Sequence, residues 1–215
     1  LSMRQRRLVS ANAGSMGGLM ALSRHQAHFA GSHLLDTNSG DYNLSYIRRY
    51  LPEIPVRLFD WVERIQGLVV CKGNPKGIHA IEDLWREDVV FINRQKGSGT
   101  RVLLDDAISK LGKTCDGIQG YEREEYTHLG VAAAVSSGRA DCGLAIAAAA
   151  NALDLDFIPL FSERYQLVIP SQFVDSNLLS PLFELMVDAD FRRQIGNMPG
   201  YKADHMGNEV FINPG

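Results

Sequence analysis

Strands alternating with helices predict an α/β fold for this 215-residue chain. Three observations carry that expectation. Short apolar runs recur along the sequence, helical apolar spacing fills the stretches between them, and turn-forming residues punctuate the passages.

Taken in order, the strand candidates are 7–10, 56–59, 67–70, 89–92, 142–145, 157–160 and 165–169. Each is a short, mainly apolar run of the length a buried strand needs. The helical stretches are 16–23, 44–50, 80–85, 101–111, 127–137 and 178–195, and Ala147–Ala150, which has no polar face, reads as a short buried helix. This alternation predicts a mostly parallel sheet with helices on its faces. No internal repeat is visible.

The length suits one large domain or two lobes sharing a chain. Two crossing points suggest themselves. Gly73-Asn74-Pro75-Lys76-Gly77 is dense in turn formers just after a strand candidate, and Phe161-Ser162-Glu163-Arg164 is a polar break between two apolar runs. The expected lobes are therefore 1–70 with 164–215, and 71–163, with hinges at about 68–75 and 161–167.

Composition narrows the function classes. Hydrophobic residues make up 45% and charged residues 22%, the balance of an ordinary globular protein. The formal net charge of −3 gives no electrostatic footprint for a phosphate backbone, so no direct nucleic-acid binding is expected. Cys71, Cys115 and Cys142 are odd in number and unrelated in spacing, which reads as small buried side chains. The basic start Met3-Arg4-Gln5-Arg6-Arg7 is followed by polar and glycine residues instead of an apolar signal core. The corresponding expectation is a cytoplasmic location, with a periplasmic one if a leader has been removed.

The segment richest in chemistry is Phe91-Ile92-Asn93-Arg94-Gln95-Lys96-Gly97-Ser98-Gly99-Thr100-Arg101, where a strand candidate runs through a glycine loop into a helix. The first turn of a helix leaves N–H groups without partners, and the macrodipole adds partial positive charge there. An oxyanion can accept several of those hydrogen bonds at once. Ser98 and Thr100 add hydroxyls, while Gly97 and Gly99 allow close backbone approach. A plain N-cap is the competing explanation. Ala13-Gly14-Ser15-Met16-Gly17-Gly18-Leu19 repeats the same chemistry at a second helix start, with Ser15 and Gly17 as its candidates. Two such turns suit a two-lobed binder of a tetrahedral dianion.

Four longer motifs resemble a known family: Gly14 to Leu22, Ala30-Gly31-Ser32-His33-Leu34-Leu35-Asp36, Asn93 to Arg101, and Gly120 to His128. They look like the PBP-like domains attached to molybdopterin-biosynthesis proteins and helix-turn-helix regulators, themselves similar to molybdate- and tungstate-binding proteins of ABC transporters. The similarity runs through Gly143–Ala150, 156–160, Phe191-Arg192-Arg193 and Gly200-Tyr201.

That resemblance implies a two-lobed periplasmic-binding-protein type II fold with parallel or mixed sheets, closing on its ligand by a hinge. It implies a molybdate or tungstate site lined by Arg94, Ser98, Gly99 and Thr100, with Ser15 from the opposite lobe. The expected role is transport or sensing, not enzymatic, with no cofactor; the alternative is an effector domain of a regulator or a molybdenum-cofactor protein that binds another small molecule. A membrane permease, a fused DNA-binding domain and a second copy of the chain are the implied partners. The family pattern has a further strand and a Gly-Ser-His-Asp-type loop upstream of Leu8, which this sequence does not contain. A fragment and a site lacking one wall are the two explanations.

Other constellations compete with these. Arg123 could meet an oxyanion bidentately if it turns inward, and Tyr121, Tyr126 and Thr127 offer hydroxyls from the same segment. Glu122-Arg123-Glu124-Glu125 otherwise reads as a solvated charge run. His25, His28 and His33 lack a standard metal-ligand spacing. A Ser98–His128–Asp141 hydrolase lacks the G-x-S-x-G elbow, and Gly73–Gly77 lacks the G-K-[ST] of a nucleotide loop.

Overall fold

The computed structural model describes residues 7–37 and 39–213. The described residues up to Glu63, together with those from Arg164 onward, form one compact unit (unit 1), and Arg64–Glu163 form another (unit 2). Most of the basic start, residues 3–6, lies outside the described residues.

Unit 1 opens with α1 (Gly14–Ser23), β1 (Ala30–Ser32) and α2 (Leu44–Tyr50). The first half of β2 (Val56–Val70) and the second half of β6 (Asp156–Pro170) also belong to it. After β6 come the short α6 (Ser171–Val174), then α7 (Ser180–Val187), α8 (Ala189–Gly196), β7 (Tyr201–Lys202) and β8 (Glu209–Asn213). β1 pairs antiparallel with β6, opposing Ser32 to Gln166, and β8 pairs antiparallel with β2. Phe59, Val62, Leu167, Ile169, Leu182 and Met186 form a core under α7 and α8.

A hydrogen-bonded relay sets the geometry of β1. Asn43, fully buried at a positive φ of 67°, accepts from Leu34 N through its Oδ1 and donates from Nδ2 to Ser32 O and Gln166 Oε1. Gln166 in turn donates to Asp60 Oδ1 at 2.8 Å. Asn tolerates the left-handed region better than other non-glycine residues, and here every polar atom of its side chain is used.

Unit 2 holds the rest of β2 and β6, a 3-10 helix (Ile81–Trp85), β3 (Phe91–Arg94), α3 (Gly99–Lys110), β4 (Glu124–Glu125), α4 (His128–Ser136), β5 (Cys142–Ile146) and α5 (Ala147–Ala152). Its strand order is β6-β2-β5-β3-β4. β5 runs antiparallel to β2, whereas β3 is parallel to both β5 and β4. Leu68, Val70, Phe91, Leu104, Cys142 and Leu144 anchor its core. Burial raises the Cys142 thiol pKa, as fits a small buried side chain.

Several elements differ from those predicted. The sheet is mixed instead of mostly parallel, because the long strands β2 and β6 bring antiparallel partners. The strand expected at 7–10 is absent; Val9 is 93% exposed and these residues carry no ladder. The pairs 56–59 with 67–70, and 157–160 with 165–169, are each one 15-residue strand. Polar residues inside them read as gaps, yet Arg64, Gln66 and Glu163 are buried, and Arg64 and Gln66 both donate to Glu163. The first division between units consequently falls within β2, and the Gly73–Gly77 turn lies wholly in unit 2. The stretch 178–195 is two helices, broken where Asp188 takes an extended conformation and caps α8 by accepting from Phe191 N.

Two expected outcomes follow from this packing. A methyl group at Gly67 would overlap the Ile158 carbonyl oxygen, so Gly67→Ala should cost about 1–3 kcal/mol by denaturant titration. Glu209 accepts twice from Arg57, at 2.6 and 2.5 Å, which holds its carboxyl below the usual range. A depressed folded-state pKa contributes stability that is present above the unfolded value and lost as pH falls through the folded one. Melting temperature measured against pH should therefore decline less steeply on the acid side in Glu209→Gln than in the wild type.

Candidate functional site

In unit 2, β3 delivers the chain into the candidate loop. Gly97 takes a φ of +83°, a conformation side chains resist, and this lets the backbone turn into α3. Ser98 is the N-cap: its extended backbone directs Oγ to accept from Arg101 N at 3.2 Å. Its hydroxyl hydrogen remains to be donated elsewhere. Gly99 opens the helix, and Thr100 follows in the first turn. Thr100 is 1% exposed, and its Oγ1 has no partner among the described residues. A buried hydroxyl without a partner costs about 1–3 kcal/mol, so its place beside the orphan N–H groups of α3 is notable chemically.

Arg94 closes β3 and is also buried. Its Nε donates to Gln95 Oε1 and Glu125 O, both at 3.1 Å, and its Nη2 to Tyr126 O at 3.0 Å. These bonds fix the plane of the guanidinium. Desolvation lowers its pKa to about 10; the nearby Arg64 cation also lowers it and Glu163 opposes the shift. It stays charged at neutral pH.

Glu163 is the counter-charge of this region. It is 1% exposed, pairs with Arg64 and accepts from Gln66 Nε2. Glu163 thus pairs with one buried guanidinium, that of Arg64, and acts at longer range on a second, that of Arg94.

Thr127 caps α4, its Oγ1 accepting from Gly130 N at 2.9 Å. Arg123, a candidate ligand if turned inward, is exposed; its backbone carbonyl is taken by Asn93 N and it lines an open hollow with Cys115, Asp116 and Glu122. It is not gathered with Ser98 and Thr100. Tyr126 is 67% exposed and meets Arg94 only through its carbonyl. Tyr121 is tied to Asp105 and lies under the Arg101 cation, which is 4.0 Å from its ring.

In unit 1, Ser15 is buried in the first turn of α1 and accepts from His33 N at 3.2 Å. Ala13 provides no side-chain cap, so the helix start has no local acceptor. Gly17 packs on Ala13, where an added methyl would stand 2.9 Å from the Ala13 Cβ. Close helix packing is its visible role.

The rival constellations are placed elsewhere. Asp141 Oδ2 accepts from Val90 N, and Ser98 Oγ serves α3, so neither is arranged for a triad with His128. Glu124 and Glu125 are engaged by Arg101 and Arg139. His28 sits edge-on to Phe173 and His33 stacks on Tyr165. No group of three His, Cys, Asp or Glu among the described residues is arranged to hold a metal ion. No helix among them is long and apolar enough to cross a membrane.

The PBP superfamily domain model matches residues 1–187. The chain belongs to that family. Among curated relatives of this PBP superfamily domain, the Bacillus subtilis protein YvgK is 36% identical over 197 residues, 92% of this chain. The chain spans 63% of that relative's length. The tungstate ABC transporter structure from Geobacter sulfurreducens superposes with a TM-score of 0.61 at 17% identity, covering 83% of this chain and 80% of that one. The Synechocystis CcmR regulatory domain in complex with 2-PG gives 0.59 at 12% identity, covering 87% and 82%. The fold is accordingly that of periplasmic-binding-protein type II domains, built from two α/β units.

Sequence reasoning missed Arg64, Glu163 and Ser32. Arg64 lies in the polar gap between the 56–59 and 67–70 strand candidates and Glu163 in the expected 161–164 break; alternating burial around 62–66 is the signal in β2, whereas β6 has no such run around Glu163. Ser32 lay inside a motif whose side-chain directions only the fold reveals. Glu163→Ala should destabilise the protein by about 3–5 kcal/mol in denaturant titration, because it removes the buried carboxylate that pairs with the Arg64 guanidinium. An unchanged midpoint would contradict that role.

Proposed function

We propose that this chain binds a small tetrahedral oxyanion, with molybdate or tungstate the preferred ligands, and that the start of α3 is the anchor in unit 2. The observation that carries the reading is the buried, unpartnered hydroxyl of Thr100 in the first turn of α3. Ser98 adds a hydroxyl hydrogen, Gly99 a backbone N–H at the helix start and Arg94 a fixed positive charge. In unit 1 the proposal assigns Ser15 the corresponding role at the start of α1. Thr127, already capping α4, is given no part in it.

The physical logic is replacement of a hydration shell by fixed donors. A doubly charged tetrahedral ion loses water on burial, and that loss is offset only by several hydrogen bonds made at once. Helix N–H groups and hydroxyls provide them without requiring a basic surface, consistent with the net charge of −3. The tungstate transporter relative supports this ligand class. The CcmR relative supports a second reading, in which the domain senses a phosphorylated organic acid within a regulator.

The deciding experiment is thermal denaturation with molybdate, tungstate, sulfate, phosphate or 2-phosphoglycolate, on the wild type and on Thr100→Val. Saturation at a hundredfold excess over Kd adds about 2.7 kcal/mol to the native state. Stabilisation by molybdate or tungstate, lost in Thr100→Val, is the expected result. Stabilisation by 2-phosphoglycolate alone would favour the regulatory reading, and no stabilisation by any of the five would overturn oxyanion binding.

A further inference from the structure

The unit 1 fold carries a hydroxyl that its own hydrogen bonds do not explain. Ser32, at the end of β1, is 0% exposed, and its Oγ has no partner among the described residues. The backbone around it is firmly held: Ser32 O accepts from Asn43 Nδ2, and β1 is registered on β6. A loose rotamer at the surface is therefore not the reason for the missing bond.

The direction of the side chain follows from its neighbours. A Cβ built on Gly18 would stand 3.0 Å from the Ala30 Cβ, so Ala30 faces α1. Alternation along a strand places Ser32 on the same face as Ala30. Helical spacing places Ser15, three residues before Gly18, on the same side of α1 and one turn nearer its start. The bond from His33 N to Ser15 Oγ, at 3.2 Å, brings the end of β1 to that first turn. On the opposite face of β1, Gly31 meets the Tyr165 ring.

Ser15 and Ser32 therefore flank the N-terminal turn of α1, a ten-residue helix with no side-chain cap. Ser15 accepts from His33 N, which leaves its hydroxyl hydrogen to point away from that bond. Ser32 has both donor and acceptor capacity unused. We infer that Ser32 is a further oxyanion-binding residue, whose hydroxyl acts with Ser15 and the α1 N–H groups as the donor set of unit 1.

This inference rests on the oxyanion reading above and extends it to a residue which that reading omits. The physical consequence is a trade-off at one atom. In the free protein an unsatisfied buried hydroxyl lowers stability, whereas with ligand bound the same hydroxyl gains a charge-assisted hydrogen bond. Removing it should move the two properties in opposite directions. A purely structural serine would move them together.

The test uses the 215-residue chain, with tungstate and molybdate as probes in isothermal titration and melting temperature of the ligand-free protein as the second readout. Ser32→Ala should weaken binding of the better probe at least fivefold while the ligand-free melting temperature holds or rises. Ser32→Cys, which keeps nearly the same volume but supplies only a weak donor, should weaken binding as well. Thr100→Val and Ser15→Ala serve as references for the reading itself. Full affinity in Ser32→Ala or in Ser32→Cys, alongside loss in Thr100→Val, would overturn the role of Ser32 and leave the α3 anchor standing. Failure of both probes to bind the wild type would overturn the oxyanion reading and this inference with it.

Discussion

The buried carboxylate of Glu163 is the constraint on which much of unit 2 turns. It sits on β6 and holds Arg64 and Gln66 of the neighbouring β2. The Arg64 cation it neutralises is close enough to Arg94 to influence the titration of that second guanidinium. One acid thus reconciles two bases that burial would otherwise penalise heavily. Arg94 in turn is clamped by backbone carbonyls of Glu125 and Tyr126, which fixes the exit of β3 and so the direction from which the chain enters α3. Ionic pairing, sheet register and the position of a helix start are linked in a single chain of cause.

The two candidate helix starts are built by different means. Unit 2 combines a capped helix, a hydroxyl without a partner among the described residues and a buried arginine. Unit 1 uses an uncapped helix and two serines, with Asn43 and Gln166 stiffening the strand that presents one of them. Such supporting bonds matter because a donor gains most when it is already aimed, leaving little ordering to be done on binding. The polar cores are consequently part of the candidate chemistry and not merely satisfied scaffolding.

Much of this was legible in the sequence. The α/β class, α2, α3, α4 and β5 follow from apolar spacing, and the loop from Arg94 to Thr100 stood out by its glycines and hydroxyls. What periodicity could not deliver was anything depending on a partner distant in sequence. Asp60, Glu63, Arg64 and Gln66 broke the apolar run of β2 and read as a connection, because a buried polar residue looks solvated until its partner is known. The short β1 and β7 carry too few residues for any period to register. Arg123 illustrates the converse: its charge suggested an inward anion ligand, and only the backbone bond from Asn93 N shows how its side chain comes to face solvent.

Unit 2 is continuous in sequence, whereas unit 1 is assembled from segments on either side of it. In topological terms unit 2 is an insertion, but one whose two seams run through the middle of strands. A gene encoding either unit alone would have to end in mid-ladder and leave half of β2 and half of β6 without continuation. Each seam therefore cuts a hydrogen-bonded strand, not a loop. Extra sequence is more readily accommodated at a turn such as Gly73–Gly77, where glycines already hold positive φ and a methyl at either would meet only open space.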